Sequence, residues 1–452
     1  MIARFILTEN FDRIPLDVIK RAKESIIDCL GVMILGSNHE AIGILEKFIK
    51  ENNGVKTSSV IGKNLKTSAI FAAFINGTMA HVLDFDDFSV SMSEGHPTAP
   101  TLAVVLALGE KINATGKEIL EAYILGAEVE MKIGSLISPD HADKGWHTTG
   151  TLGTLGAAVT ASKLLKLNLK QIAMALGIAV SQASGIIQNF GSMTKSLHVG
   201  AAAKNGIIAA SLSKKGFTSS NDSFEGENGF CSVFYNYGNR NKLNKISEYL
   251  GNPYDFIEPG IEIKLYPCCS YTHGAINAIL KLKEKYKFTT KNFKKITCGI
   301  SYAVFKTLNH EIPKTDLDTK FNIPFCISLA LVNDKLTVED FSLIKLNNPE
   351  IREILGKIEV YIHPNLTTKE GLKNDFTLVT IFLSNGEAHS MKIDKKNASK
   401  DSLSYKKEII SKYVECTTGI LSSENIKKSI SIVDNLENLE KIQDLTSLFN
   451  VV

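Results

Sequence analysis

Five of the ten histidines stand in short segments where Gly, Thr, Ser and Asp gather within otherwise apolar stretches. They are His81 and His96 in HVLDFDDFSVSMSEGHPTAP, His147 in GWHTTG, His198 in TKSLHVGAAAKNG and His273 in YPCCSYTHG. A carboxylate beside an imidazole makes it an acid or base that works near neutral pH. Asp84, Asp86 and Asp87 lead up to His96 in this way. His96 also stands just before Thr98 and Pro100, which read as a helix start, so an anion beside it would meet a positive dipole end. Lys195, in TKSLH, opens a helix of small residues and can hold a carboxylate as a point charge. That role carries weight in a chain whose only arginines are Arg4, Arg13, Arg21, Arg240 and Arg352.

Together these residues point to proton transfer on a carbon next to a carboxylate, where the developing negative charge needs donors already in place. Lys195 and His273 are the expected donors, with His147 assisting. His96 is the expected acid/base, and Asp84 orients or charges a neighbouring imidazole or lysine. Three close acids invite a metal, but D-x-D-D lacks the Gly and Glu positions of an EF-hand loop. None of the seven cysteines forms a zinc-type C-x-x-C set. In GTLGTLG, Gly150, Gly153 and Gly156 match neither a dinucleotide nor a Walker pattern and follow no strand. They predict close helix contact, with a helix start facing an anionic ligand as the second reading. No metal and no organic cofactor are expected.

The elements that position these residues are helical up to about Asn252. Helical periods run over Pro15–Gly36, Ala69–Leu83, Thr101–Lys111, Lys117–Ile137, Thr148–Leu167, Lys170–Val180 and Leu197–Lys214. After Pro253 the texture is α+β. Gly260–Tyr266, Lys295–Val304, Lys357–His363, Phe376–Leu383 and His389–Ile393 read as strands, with Asn385-Gly386 as a hairpin turn. His273–Tyr286 and Pro324–Val332 read as helices between them, and Lys392–Lys400 as a solvated loop. From Ser402 the helical period returns, and Ile432, Leu436, Leu439, Ile442, Leu445 and Leu448 recur every three or four residues. These predict terminal helices that rejoin the first bundle, a coiled coil being the alternative.

A chain of 452 residues is too long for one core, since cores stop growing at roughly 250–300 residues. The expected fold is mostly α: a discontinuous helical bundle, residues 1–258 and 397–452, with an inserted α+β domain over 259–396. A net charge of +3 excludes a strongly basic nucleic-acid binder, and 44% hydrophobic residues exclude wholesale disorder. No apolar run reaches the roughly 18 residues of a membrane span, and the start MIARFILTENFDRIP breaks the pattern of a signal peptide. Cys268 and Cys269 read as buried apolar residues in a reducing setting. The expectation is a soluble cytoplasmic protein without nucleic-acid or membrane partners.

Five segments in order across Ala72–Ala275, FINGTMAHVLDFDD, GHPTAPTLAVVLALGE, GWHTTGTLGTLGAA, GSMTKSLHVGAAAKNG and KLYPCCSYTHG, resemble the MmgE/PrpD family. That family includes 2-methylcitrate dehydratases, cis-aconitate decarboxylases and iminodisuccinate epimerases. The resemblance implies a helical domain carrying an α+β lid, a homodimer, a site between the two domains, and catalysis without metal or organic cofactor. It places site residues at Asp84, His96, His147, Lys195 and His273. Two positions depart from the family pattern: Phe88 follows DFDD where Thr is common, and Phe325 in KFNIPF stands where Tyr is common. Each loses a hydroxyl that could hold a carboxylate, which marks both as substrate-contact positions beside Lys195, His273 and His147. The implied activity is a cofactor-independent lyase acting on a small di- or tricarboxylate, by 2-methylcitrate or citrate dehydration or cis-aconitate decarboxylation. The alternatives are an epimerase of an imino- or amino-dicarboxylate and a non-catalytic carboxylate-binding homologue.

Overall fold

The computed structural model describes residues 2–52, 54–235, 246–308, 311–367, 375–394 and 402–450. Helices Leu16–Gly36, Ala69–His81, Thr98–Ile112, Gly116–Ile137, Thr148–Leu164, Leu169–Val180 and Met193–Lys214 occupy the expected helical stretches. Their starts follow from local chemistry. Ser68 caps Ala69–His81, while Thr115 with Glu118 and Asn168 with Gln171 form reciprocal capping boxes.

Met193–Lys214 packs against both Ala69–His81 and Thr148–Leu164. The approach needs bare backbone, because a Cβ on Gly200 would stand 2.1 Å from Phe74 O and one on Gly206 2.4 Å from the Ala157 Cβ. The GTLGTLG stretch is also a packing surface. A Cβ on Gly150 would lie 2.5 Å from Ser184 O, and one on Gly156 2.7 Å from the Glu130 carboxyl carbon.

Glu130 is fully buried, and among the described residues neither of its oxygens has a hydrogen-bond partner. Burial pushes its pKa well above the usual range, with the Asp87 charge adding to the shift, and burial raises Glu128 to about 7. Between pH 4.5 and 7 the folded chain therefore keeps the Glu128 proton that the unfolded chain has lost. Glu130 and Asp87 extend that window upward. Stability from these acids falls as pH rises. Buried His81 (about 3) and His141 (about 4) act oppositely, but only below the unfolded histidine value of 6.5. Urea midpoints should therefore decline from pH 6.5 to 7.5, below the value of about 8 to which burial lowers Lys320, and Glu130→Gln should flatten that decline. One such group is worth up to about 1.4 kcal/mol per pH unit. A variant with an unchanged pH slope would show that Glu130 keeps no proton.

One hydrophobic core draws on Ile2–Ile263 together with Tyr405–Phe449, and a second on Cys268–Leu383. The change of core falls between Ile263 and Cys268, a little after the boundary expected at 258. The boundary expected at 396/397 lies outside the described residues. In the second core the strands run in the order Ile358–Ile362, Phe293–Ile300, Phe376–Leu383, Ala388–Asp394. The first pair is parallel and the others antiparallel. Gly386, at φ 93, makes the expected turn before the last strand. Helix Ser270–Tyr286 packs on the last two strands and on helix Ile323–Val332.

Three local expectations are corrected. The strand expected over Lys295–Val304 ends at Ile300, because Ser301 accepts from Val304 N and starts helix Tyr302–Thr307. Of Gly260–Tyr266, only Ile261–Glu262 forms a strand, paired with Phe88–Ser89, and the chain then departs to bring Lys264 inward. Lys392–Asp394 belongs to a strand rather than a loop, and 395–400 lies outside the described residues. The terminal segment rejoins the first core as expected, rather than forming a coiled coil. After helix Ser423–Asp434 it breaks into short turns, because it folds across the bundle: Ile442 N donates to Ala114 O at 3.0 Å and Gly116 N to Leu439 O at 2.8 Å.

Candidate active site

Helix Ala69–His81 ends at a buried imidazole, and the chain then turns through Asp84, whose φ of 53° is unusual for a non-glycine residue. That turn and the residues after it place the Asp84, Asp86 and Asp87 carboxylates inside the protein. Asp84 Oδ1 accepts from Lys195 Nζ at 2.9 Å and from Lys264 Nζ at 2.8 Å. Burial alone would raise the Asp84 pKa, but the two ammonium groups outweigh it and hold the carboxyl well below its usual range. Asp86 lies 2.9 Å from His81 Nδ1 and 3.1 Å from His96 Nδ1. Against burial, the two imidazoles hold it ionised.

His81 is a neutral bridge. Burial lowers its pKa to about 3, and its Nε2 lies 2.9 Å from Lys195 Nζ. The ammonium can only donate, so Nε2 accepts and the ring proton sits on Nδ1 toward Asp86. His147 is also held neutral, by burial first and then by Lys195. Its Nδ1 is 2.9 Å from His198 Nδ1, so one ring donates and the other accepts, and both cannot carry a proton there. His96 is positioned by its backbone, since its N–H donates to Thr149 Oγ1 at 3.1 Å.

Asp84, His96, His147 and Lys195 line one cavity of about 170 Å³ between the two cores, together with Lys264, Tyr271, Phe190 and Phe321. This space accommodates a small acid. Helices Thr148–Leu164 and Ser270–Tyr286 start at its wall without side-chain caps, and Thr148, Ser270 and Tyr271 line it. Their first-turn N–H groups add positive potential for an anion.

Three expected site residues lie elsewhere. His273 is not among the lining residues; its ring packs edge-on against Tyr266 at 5.1 Å, and Nε2 is 3.3 Å from Cys268 O. At 100° per residue it points away from Tyr271, which takes the cavity face of that helix. Phe325 is fully buried in the second core and packs edge-on against Phe341, while Phe321, one helical turn earlier in the chain, reaches the cavity. Phe88 pairs with Glu262 in a short strand and is only half-buried. Lys264 was missed as a site residue, although it opens the KLYPCCSYTHG segment. His81 and Asp86 were flagged only as members of a polar segment.

His81, Asp84, Asp86 and His96 offer ligand atoms within 4.8 Å of one another. Two ammonium groups already bind Asp84 Oδ1, and both His81 nitrogens are engaged, so a divalent cation would meet positive charge at its would-be ligands. EDTA should leave turnover unchanged; a loss reversed by a divalent cation would place a metal in this cluster. Among the described residues, no helix is long and apolar enough to cross a membrane.

The cavity lies between the helical domain and the α+β domain. The MmgE/PrpD N-terminal domain model matches residues 1–242 and the C-terminal domain model residues 266–438, so the chain belongs to the MmgE/PrpD family. The human cis-aconitate decarboxylase is 28% identical over 443 residues, covering 95% of this chain and 90% of the human protein. The cis-aconitate decarboxylase of Aspergillus terreus (strain NIH 2624 / FGSC A1156) is 26% identical, covering 97% of this chain and 93% of its own length. The mouse cis-aconitate decarboxylase is 26% identical, covering 95% and 89%.

Proposed function

We propose that the chain is a carboxy-lyase that decarboxylates a small unsaturated tricarboxylate of the cis-aconitate type by proton transfer from an imidazole. The observation that carries this reading is the meeting of Lys195 and Lys264 with His96 and His147 in one cavity. The decarboxylase relatives support the reaction type. In such a reaction a proton adds to one alkene carbon while the bond to the departing carboxylate breaks. The freed electron pair forms the shifted double bond, and CO2 leaves. His96, backed by Asp86, supplies the proton. Lys195, Lys264 and the two uncapped helix starts hold the remaining carboxylates. His147, kept neutral, offers a hydrogen bond without competing for the proton.

The test is turnover in D2O over cis-aconitate, citrate, 2-methylcitrate and iminodisuccinate, followed by NMR. The expected result is CO2 release from cis-aconitate with one solvent deuteron on carbon in the product. Deuterium exchange into recovered substrate without CO2 release would favour an epimerase instead, and absence of any turnover would leave a binding protein.

Two further properties belong to this reading. The active form is a homodimer, and a monomer in sedimentation at micromolar concentration would contradict it. The setting is cytoplasmic, which is supported by seven buried, unpaired cysteines.

A further inference from the structure

Three consecutive carbonyl groups around Asp84 each accept a hydrogen bond from a different buried lysine. Leu83 O accepts from Lys320 Nζ at 2.7 Å, Asp84 O from Lys264 Nζ at 3.0 Å, and Phe85 O from Lys412 Nζ at 2.7 Å. None of the three lysines is more than 7% exposed. They come from separate parts of the chain. Lys264 precedes the second core, Lys320 lies inside that domain before helix Ile323–Val332, and Lys412 sits on the returning helix Ser402–Thr417. Lys320 also donates to Pro267 O at 2.9 Å, and Lys412 lies 2.7 Å from Asp28 Oδ1.

Packing alone does not explain this arrangement, because burying an ammonium group carries a desolvation cost that Met or Leu would avoid. The segment has a specific need. It leaves helix Ala69–His81 with carbonyls that no helical N–H can reach, and it then holds Asp84 in a left-handed conformation that most side chains disfavour. We propose that Lys320 and Lys412 are positioning residues for the Asp84 carboxylate, acting through the carbonyls on either side of it. Neither residue lines the cavity with Lys195 and His96, so neither touches a ligand there. Because Lys320 belongs to the lid, docking of the lid and assembly of the Asp84–Lys195 pair become one event.

This inference rests on the functional reading of the site, and the experiment separates the two. Lys320→Met and Lys412→Met are compared with Lys132→Met. Lys132 is also buried and donates to Pro253 O at 2.7 Å, but it does not line the cavity. All three variants should lower the Tm. In protein that is folded at the assay temperature, only the first two should lower kcat, by about tenfold or more, with KM within about threefold of wild type. A kcat within twofold of wild type in a folded Lys320 or Lys412 variant, or an equal loss in Lys132→Met, would overturn the clamp. If a Met variant does not fold, the Arg variant at that position keeps a charged donor but displaces it, and it is read by the same criteria. Asp84→Asn with wild-type turnover would also overturn this positioning role, whereas wild-type protein that releases no CO2 from cis-aconitate would refute the functional reading instead.

Discussion

Lys195→Ala should lower kcat/KM by about 10³-fold on the true substrate, the scale of removing a charged donor from an active site. Lys195 Nζ is held on two sides, by His81 Nε2 and by Asp84 Oδ1, each at 2.9 Å, and it lies 5.1 and 5.3 Å from the ring centres of Phe190 and Phe321. An ammonium group has three N–H bonds, so one remains for a ligand in the cavity it lines. Truncation removes that donor and also leaves Asp84 with Lys264 as its remaining lysine partner. Lys195→Arg should not restore activity, because a planar guanidinium fork cannot reproduce a point charge held between an imidazole and a carboxylate. A second signature separates this role from a merely structural one. Lys195 is among the causes that hold His147 low, so the His147 pKa should rise in the variant. Imidazole NMR titration would read it. An unchanged His147 together with near-normal turnover would remove Lys195 from the site.

His96→Gln should lower kcat by about 10²–10⁴-fold, the range for a positioned general acid or base, with the Tm little changed. His96 is 5% exposed and lines the cavity, while its backbone N–H remains bonded to Thr149 Oγ1 whatever the side chain. Glutamine keeps a hydrogen-bonding amide but cannot carry the proton. Deuterium incorporation from D2O should fall in parallel with CO2 release, since one proton transfer governs both. If incorporation persists while CO2 release stops, the acid is another residue, and His147 would be the next to test. Its shared hydrogen with His198 at 2.9 Å makes it a poorer proton donor.

How much of this was legible in the chain differs residue by residue. Asp84, His96, His147 and Lys195 were readable because each stands in a polar segment that interrupts an apolar period, and such segments end up where elements meet a cavity. His273 met the same criterion and lies elsewhere. Its helix starts three residues earlier than its own period indicated, at Ser270, which turns Tyr271 toward the cavity in its place. Phe325 was judged by its missing hydroxyl, yet helix Ile323–Val332 is apolar nearly all round, and that position faces the second core. Lys264 was overlooked although it opens the KLYPCCSYTHG segment, since a lysine within a strand-like stretch reads as solvent-exposed. Only a carboxylate 180 residues away makes its burial tolerable.

The residue pattern alone determined the helical and α+β stretches, because hydrophobic period and capping act within a few residues. It also determined the chemical types available for catalysis: lysines and imidazoles in place of arginines. The tertiary structure decided which of them meet. The Asp84 carboxylate joins Lys195 across 111 residues and Lys264 across 180, and the lid sets Lys320 against Leu83 across 237. A periodic pattern says which residues share a face. Which face looks into the cavity depends on how distant elements pack, and that orientation turned His273 away and brought Lys264 in.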